Sequence, residues 1–286
     1  MPDQALGFKL VHSSKELFMV EQKSLKNAAE WLYTARISQK PIQQLSKSGL
    51  ILSRDEAYQL QEIGISQRLL NQEKIVGLKM GLTSEGKRKQ MNLDSPLYGE
   101  LTDKMQIMNG SNFDISTLIH PKIEPEIAFW ISKKLSGTVT HSQVLESCEG
   151  ISSCMEILDS RYDQFKYFSM EDVIADNSSS SHFVVGPWQK DLTSFNLKNL
   201  QMQMWIDEVI VQQGLSQEIS GDPVNSVIEL CSLLALRNRS LEAGMIVLAG
   251  AATAAVELKP GQKIRLTVDS LPPVSITIMD KGILHV

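Results

Sequence analysis

The sequence is poor in cysteine and histidine, and neither residue is arranged for metal binding or crosslinking. The three cysteines, Cys148, Cys154 and Cys231, form no CxxC pair and are odd in number, which argues against a disulfide framework or a thiolate zinc site. The histidines form no H-x-x-x-H pair, and no GxSxG segment is present, so a histidine-based zinc site or hydrolase triad is disfavoured. We therefore expect reduced thiols and a cytoplasmic location.

The chain also lacks a membrane-length apolar run and an excess of positive charge. Its longest nearly apolar stretch, residues 245–256, is short and is interrupted by glycine and threonine. The net charge of −5 and the pI of about 5.6 do not favour a polyanion as partner. We expect neither a membrane nor a nucleic-acid partner. An anionic substrate would need a local positive centre, such as a bound cation or a buried lysine.

Composition and periodicity predict one globular unit with helices at its start. The 286 residues are 42% hydrophobic and 21% charged, which suits one large domain. Residues 24–71 have helical character, with Ser53 as an N-cap, and residues 224–237 form a further amphipathic pattern. We predict an N-terminal extension and helical region over residues 1–73 and a β-rich catalytic body over residues 74–286. Without regular βαβ alternation, a Rossmann or barrel layout is disfavoured.

Two glutamates spaced for one face of a strand are the strongest local feature. Glu124 and Glu126 lie just before an apolar strand predicted over residues 127–130, and alternation directs both side chains the same way. Glu156 is a third carboxylate, inside the apolar run of residues 154–158. Like charges on one face repel unless a cation lies between them, and carboxylates alone favour Mg²⁺ or Mn²⁺ over zinc. On these residues alone, an exposed face with salt bridges remains an alternative.

Three further segments contain residues suited to ligand contact. Lys79 is flanked by apolar residues and glycines, so it could serve as an anion anchor or an acid–base group. The alternative for Lys79 is a surface lysine on an edge strand. The polar turn over residues 176–181 offers hydrogen-bond donors, and the small residues 250–255 allow close approach of backbone to a ligand. A solvated loop and close strand packing are the respective alternatives.

Taken together and in this order, five segments resemble the fumarylacetoacetase-like superfamily. They are most similar to the branch that contains 2-oxo-3-hexenedioate (4-oxalocrotonate) decarboxylases and 2-hydroxypenta-2,4-dienoate (2-keto-4-pentenoate) hydratases. The resemblance runs from about residue 45 to the C-terminus. The segments are Lys74–Ser84, His120–Ala128, Met155–Tyr162, Ala175–Ser179 and Gly250–Val256.

The resemblance implies a fold, a cofactor and a set of site residues. The implied fold is mixed α/β (α+β), a curled mixed β-sheet of the fumarylacetoacetase C-terminal type with an N-terminal helical region. The implied cofactor is Mg²⁺ or Mn²⁺, and the implied substrate is a small 2-oxo acid. A homo-oligomer, and a complex with a pathway hydratase or decarboxylase, are also implied. The implied residues are Glu124, Glu126 and Glu156 for the metal, Lys79 for catalysis, and Leu82, Arg161, Ser179 and Thr253 for the substrate.

One position bears on which reaction of the branch to expect. The resembling hydratases usually carry an acid two residues before the glycine of a P-x-[FY]-G segment, and here Leu97 occupies that position. An apolar residue there resembles the decarboxylases, a class of carbon–carbon lyases that act in meta-cleavage aromatic catabolism. We expect decarboxylation of 2-oxo-3-hexenedioate. A hydratase is the first alternative, and an inactive relative that binds a pathway enzyme is the second.

Overall fold

Two helices precede a body built from two β-sheets. The computed structural model describes residues 14–90, 93, 95–165, 169–192 and 195–280. The helices are α1 (Ser14–Ser38), α2 (Arg54–Leu70), α3 (Glu85–Gln90), α4 (His141–Glu146), α5 (Met170–Ala175) and α6 (Pro223–Ala235). The strands are β1 (Ile75–Gly81), β2 (Leu97–Thr102), β3 (Gln106–Ile107), β4 (Asn112–Asp114), β5 (Lys122–Ile131), β6 (Cys148–Leu158), β7 (Ser180–Val185), β8 (Gln201–Ile206), β9 (Val209–Leu215), β10 (Ile246–Ala251), β11 (Val256–Glu257), β12 (Lys263–Val268) and β13 (Leu271–Met279).

The larger sheet is mixed, and it is the one that carries the site. Its strand order is β2-β1-β10-β5-β6-β7-β3, with β11 beside β5. Strands β1 and β10 are parallel, whereas β5 runs antiparallel to both β10 and β6. The second sheet has the order β4-β13-β12-β8-β9. Buried and partly exposed residues alternate along β8 and β12, as expected for strands with one face on the core.

The larger sheet curls strongly. Lys79 on β1 and Glu156 on β6 are separated by β10 and β5, which in a flat sheet would place them about 14 Å apart. Their side chains nevertheless meet, with Lys79 Nζ 3.0 Å from Glu156 Oε2. The curl brings the edge strand β2 close to β7. The predicted fold class, mixed α/β with a curled sheet and an N-terminal helical region, is confirmed.

The side chain of Asn177, just before β7, binds the edge strand β2. The Asn177 amide accepts a hydrogen bond from the backbone N–H of Glu100 at 2.8 Å and donates one to the Glu100 carbonyl at 2.9 Å. It therefore mimics a neighbouring strand at the edge of β2. This approach requires Gly99, because a Cβ there would lie 2.7 Å from the Asn177 carbonyl oxygen. The side chain of Asn177 thus completes backbone pairing that would otherwise be lost at a sheet edge.

The helical region consists of two helices separated by a non-helical connection. α1 ends at Ser38, and residues 39–53 are not helical before α2 begins. The physical reason is Pro41, which cannot donate a backbone bond and disfavours a helical residue before it, and Gly49, which has a φ of +89°. Ile42 in this connection forms an isolated bridge with Tyr162. The helical character predicted over residues 24–71 is therefore confirmed for α1 and for α2, which starts after the predicted N-cap Ser53, but not for residues 39–53.

The helix α2 is attached to the sheet through buried polar and aromatic contacts. Gln61 donates from Nε2 to the carbonyl oxygens of Tyr98 at 3.1 Å and Ile174 at 3.0 Å. The rings of Tyr58 and Tyr98 stack with centroids 4.5 Å apart. None of the helices in the described part of the chain combines the length and apolar character needed to cross a bilayer. The division between residues 1–73 and 74–286 stays a prediction.

Ser53 is the N-cap of α2, as predicted, and its contribution to stability can be measured. Ser53 Oγ accepts from the Glu56 N–H, and the Glu56 carboxylate accepts from the Ser53 N–H at 2.6 Å, which is a complete capping box. We expect Ser53→Ala to lower the free energy of unfolding by about 1 kcal/mol. Urea unfolding measures this change. Ser66→Ala, on the exposed face of the same helix, is the matched control; an equal loss in both variants would contradict the cap.

Candidate active site

The three glutamates converge because of strand register. Glu124 on β5 is paired directly with Glu156 on β6, and Glu126 lies on the same face of β5 as Glu124. The pair of acids lies inside β5 and not before it, because the strand starts at Lys122. Pro125 is accommodated between them at a bulge of the neighbouring strand β10, where a missing N–H costs little. One carboxylate oxygen from each acid lies within 4.8 Å of the others.

Glu126 is the most deeply placed of the three acids. It is fully buried, and its Oε2 accepts from the Gly250 N–H at 2.8 Å. Its Oε1 is also buried and has no hydrogen-bond partner. Burial first, and then the charges of Glu156 and Glu124, raise the pKa of Glu126 well above 4.5. A buried carboxylate oxygen without a partner is costly, and a cation bound beside it would offset that cost.

The backbone that supports Glu126 needs a glycine. Gly250 has a φ of +105°, and a Cβ at this position would lie 2.5 Å from Thr83 Oγ1. Any other residue would be strained in this conformation, and the N–H that reaches Glu126 would shift. The small-residue segment 250–255 therefore approaches Thr83 closely at Gly250, and this contact is with the protein itself.

Glu156 is held by two neighbours. Its Oε2 accepts from Lys79 Nζ at 3.0 Å, and its Oε1 accepts from Ser180 Oγ at 2.8 Å. Lys79 is 2% exposed and Glu156 is fully buried, so this is a desolvated ion pair in which each charge depends on the other. The alternative of a surface lysine is thus ruled out, and the buried lysine is a local positive centre beside the acids.

These residues fit a hard divalent cation. All the donors are carboxylate oxygens, the set that Mg²⁺ and Mn²⁺ prefer. One lysine offsets only part of the charge of three acids, and the buried Glu126 Oε1 has a vacant lone pair for coordination. No histidine or cysteine is in the group. The chemistry of the donors therefore agrees with the cofactor predicted from the sequence.

A cavity of about 300 Å³ lies against the acids. Its polar side includes Lys79, Glu124 and Lys122, and most of its remaining wall is apolar. The lining residues are Lys79, Gly81, Leu82, Leu93, Leu97, Lys122, Glu124, Leu158, Phe165, Met170, Val173, Ser178, Ser179 and Ala255. Among the predicted substrate contacts, Leu82 and Ser179 line this cavity.

Four lining or adjacent residues have left-handed backbone. Asn177, Ser178 and Ser179 have φ values of 50°, 56° and 54°, and Leu82 has a φ of 57°. Each such residue costs on the order of 1 kcal/mol or more without a glycine. Consecutive left-handed residues persist only where surrounding contacts fix them. The polar turn is therefore a rigid wall of the cavity and not a solvated loop.

Arg161 does not line this cavity, contrary to the prediction. It is buried with its guanidinium bonded to the Asp176 carboxylate and to the carbonyl oxygens of Asp159, Asp176 and Ser180. An arginine whose donors are used inside the protein serves to hold a backbone in place. Arg161 thus fixes the turn that presents Ser178 and Ser179, and it is a positioning residue.

Thr253 is also outside the cavity lining. Its hydroxyl donates to the Ala254 carbonyl at 3.4 Å, and its methyl group faces Gly214 on β9. Ala255, two residues later, lines the cavity instead. The segment was thus located correctly, but the contacting residue is different because the chain leaves β10 in a turn at this point.

Sequence reasoning missed Lys122 as a cavity residue. Its ammonium group lies 4.3 Å from the centroid of the Phe165 ring, a cation–π contact at the cavity wall. The spacing could have indicated this residue, because Lys122 precedes Glu124 by two positions. The two side chains therefore share a face if the strand starts at Lys122 and not at residue 127. Ser180, which holds Glu156, was within the polar turn but was not singled out.

Comparison with known proteins shows the family of this chain. The profile of the fumarylacetoacetate (FAA) hydrolase C-terminal family matches residues 95–279. The chain belongs to this family. It is 41% identical over 253 residues to a 4-oxalocrotonate decarboxylase of Pseudomonas sp., covering 88% of this chain and 97% of the relative. It is 32% identical to 2-keto-4-pentenoate hydratase 2 of Dechloromonas aromatica, covering 87% of this chain and 95% of the relative.

A solved structure of this family has nearly the same fold. It is 4-oxalocrotonate decarboxylase from Pseudomonas putida G7, complexed with magnesium and adipate. It superimposes with a TM-score of 0.87 at 33% identity, over 90% of this chain and 98% of that one. The decarboxylases and hydratases among the relatives are all lyases, in agreement with the expected class of enzyme.

Because the pKa of Glu126 is raised, the free energy of unfolding should depend on pH and on Mg²⁺. In metal-free protein the folded state binds a proton at Glu126 more tightly than the unfolded state. The free energy of unfolding should therefore fall as pH rises from 4.5 towards the raised value. A cation competes with that proton, so stabilisation by Mg²⁺ should grow over the same range. We expect about 2.7 kcal/mol when Mg²⁺ is at a hundred times its dissociation constant.

Urea unfolding across this pH range, with and without Mg²⁺, measures both effects. Glu126→Gln should remove the pH dependence that this residue contributes and most of the stabilisation by Mg²⁺. Glu146→Gln, on the exposed face of α4, is the matched control and should keep both. If Mg²⁺ leaves the unfolding of the unmodified protein unchanged at neutral pH, the metal assignment is wrong.

Proposed function

We propose that the protein catalyses the divalent-metal-dependent decarboxylation of 2-oxo-3-hexenedioate to 2-hydroxypenta-2,4-dienoate. The observation that carries the proposal is a cavity lined at one end by the buried Lys79 and by Glu124, whose carboxylate lies within 4.8 Å of those of Glu126 and Glu156, and elsewhere mostly by apolar residues. Two relatives, 41% and 39% identical to this chain, are 4-oxalocrotonate decarboxylases, which act on this substrate. A divalent cation is the cofactor, as in the related structures that hold magnesium or calcium.

We assign the metal to Glu124, Glu126 and Glu156. When bound there, the cation supplies a Lewis acid for the 2-oxo carboxylate end of the substrate. Glu126 and Glu156 are fixed by Gly250, Lys79 and Ser180, so the ligand oxygens need little rearrangement. This preorganisation places the 2-oxo group at one defined end of the cavity.

Lys79 is positioned to hold a proton near the 2-oxo oxygen. During decarboxylation the electron pair of the C5–C6 bond passes through the C3–C4 alkene towards that oxygen, where negative charge develops. A buried ammonium group stabilises such charge strongly because little water screens it. Lys79 lines the cavity and is bonded to Glu156, so it is fixed in place before the reaction starts.

The apolar wall suits loss of carbon dioxide better than addition of water. Leu93, Leu97, Met170 and Val173 all line the cavity. A carboxylate in apolar surroundings is less well solvated, and its charge disperses as the C–C bond breaks. At Leu97, which is 1% exposed, the resembling hydratases usually carry an acid. A leucine cannot orient or activate water, and this favours decarboxylase over hydratase.

Lys122 gives the cavity a second cationic group, which suits a dicarboxylate. Strand alternation puts Lys122 on the same face of β5 as Glu124 and Glu126. Along the strand, Lys122 is further than Glu124 from Glu126, the most deeply buried acid. A 2-oxo dicarboxylate has its second carboxylate at the far end of the carbon chain. We assign Lys122 to that carboxylate, which it binds and orients before the bond breaks.

The activity is tested with the purified protein and Mg²⁺ on two substrates. Release of carbon dioxide from 2-oxo-3-hexenedioate is expected, and Glu126→Gln should lower kcat/KM by about a thousandfold because the Lewis acid is lost. Glu146→Gln is the matched control. Turnover of only 2-hydroxypenta-2,4-dienoate would overturn the choice in favour of the hydratase. Full activity of the Glu124→Gln, Glu126→Gln double variant would overturn the metal site, and no activity with folded, metal-loaded protein would favour an inactive relative.

The role of Lys122 has its own test. Lys122→Gln should raise KM for the dicarboxylate by roughly tenfold or more, because a charge-assisted hydrogen bond is lost. Inhibition by adipate should weaken to a similar degree, whereas inhibition by pyruvate, which lacks a distal carboxylate, should not change. Lys133→Gln, an exposed lysine just after β5, is the control. Equal weakening of adipate and pyruvate would contradict a contact with the distal end.

Four wider expectations remain proposals of the same kind. The cytoplasmic location follows from the unpaired cysteines. The role in aromatic catabolism, a homo-oligomer, and a complex with a pathway hydratase or decarboxylase follow from the resemblance to the decarboxylase branch. The metal-site and cavity assignments above do not depend on them.

A further inference from the structure

A second cavity, of about 250 Å³, lies on a different surface from the first. It is formed where the end of α1 and the end of α2 meet the start of β7. Its lining has two arginines, three hydroxyl side chains and no acidic side chain. The lining residues are Arg36, Ile37, Gln39, Arg68, Thr117, Leu118, Ser180, Ser181 and His182.

The two arginines have donors available on this surface. Arg36 is in the last turn of α1, and among the described residues its guanidinium has no hydrogen-bond or ion-pair partner, only the Tyr33 ring at 5.3 Å. Arg68 donates from Nε to Glu73 at 2.9 Å. The structure shows no described residue bonded to the terminal nitrogens of Arg68. A planar guanidinium with free terminal nitrogens matches the oxygens of a carboxylate or phosphate.

The arginines also repel each other. Arg161 lies behind them, where a smaller cavity of about 60 Å³ has all three arginines in its lining. Burial first, and then the charges of Arg68 and Arg161, lower the pKa of Arg36 to about 10. Glu73 pairs with Arg68 and Asp176 with Arg161, whereas Arg36 has no ion-pair partner among the described residues. An anion bound beside Arg36 and Arg68 would lessen the repulsion between them.

The other polar groups of the cavity can donate hydrogen bonds without adding negative charge. Ser181 Oγ lies 2.8 Å from His182 Nδ1. Burial first, and then Arg68 and Arg36, lower the pKa of His182 to about 3, so this ring is neutral near pH 7. The hydroxyls of Thr117 and Ser181 can turn towards an oxygen atom. In a protein with a net charge of −5, such a surface without acids is selective for anions.

We propose that this cavity is a binding site for a small oxyanion, a carboxylate or phosphate taken from solution, held chiefly by Arg36 and Arg68. The site is separate from the metal centre, and the proposal does not depend on the reaction catalysed there. It does share a wall with that centre. Ser180 lines the second cavity, and its hydroxyl donates to Glu156 at 2.8 Å.

The test is calorimetric titration of the full-length protein with inorganic phosphate and, separately, with succinate. No divalent metal is added, so that the three glutamates cannot recruit the anion through a cation. Arg36→Gln should weaken binding by roughly tenfold or more, because a charge-assisted contact is lost. Arg36 is partly exposed near the end of a helix, so this variant should fold. Lys26→Gln, an exposed residue on the same helix, removes an equal charge and should bind like the unmodified protein.

Each outcome decides for or against the site. Saturable binding of either anion that is lost in Arg36→Gln and kept in Lys26→Gln supports the proposal. Absence of binding for both anions, or equal binding by both variants, overturns it. Sedimentation of the same samples tests whether the oxyanion is instead a carboxylate of a second copy of this chain. If Arg36→Gln dissociates an oligomer and neither anion binds, the arginines pair with a carboxylate of a second copy, and the proposal of a ligand from solution is wrong.

Discussion

The buried contact between Lys79 and Glu156 is the constraint from which the rest of the site follows. It can form only if the sheet curls enough to bring β1 opposite β6, and it places a positive charge among acids that would otherwise repel one another. Because both groups are desolvated, neither tolerates loss of the other. The same contact fixes one metal ligand through Lys79 and leaves Glu126 with a buried oxygen that a cation would satisfy.

A second layer of contacts keeps this arrangement rigid. Arg161 uses its donors on Asp176 and on backbone carbonyls, and the turn that follows runs through three left-handed residues, two of which, Ser178 and Ser179, line the cavity. Asn177 in that turn also binds the edge of β2 and so completes the curl. Strain at the cavity and closure of the sheet are therefore maintained by the same few residues. This explains why an arginine predicted to contact substrate acts on the protein itself.

The site could be predicted from the sequence wherever its signal was local. Glu124 and Glu126 share a face by strand alternation alone, and the capping box at Ser53 needs only four neighbouring residues. Lys79 was ambiguous, since a lysine between glycines reads equally well as exposed. Arg161 and Thr253 were misplaced because the direction of a side chain after a turn depends on contacts distant in sequence. The start of α2 was predicted from Ser53, but the length of the non-helical connection before it was not, although Pro41 marks that connection.

The sequence by itself determined the donor chemistry: carboxylates without histidine or thiolate ligands, one lysine among apolar residues, and strands with one buried face. These follow from residue type and from a period of two, which depend only on neighbours along the chain. Only the tertiary structure decided that three acids from two strands meet within 4.8 Å, that Lys79 is buried, and that Lys122 and Leu97 face the same cavity. The reason is that register and curl are set by pairing between distant strands, and no local pattern encodes the distance across a folded sheet.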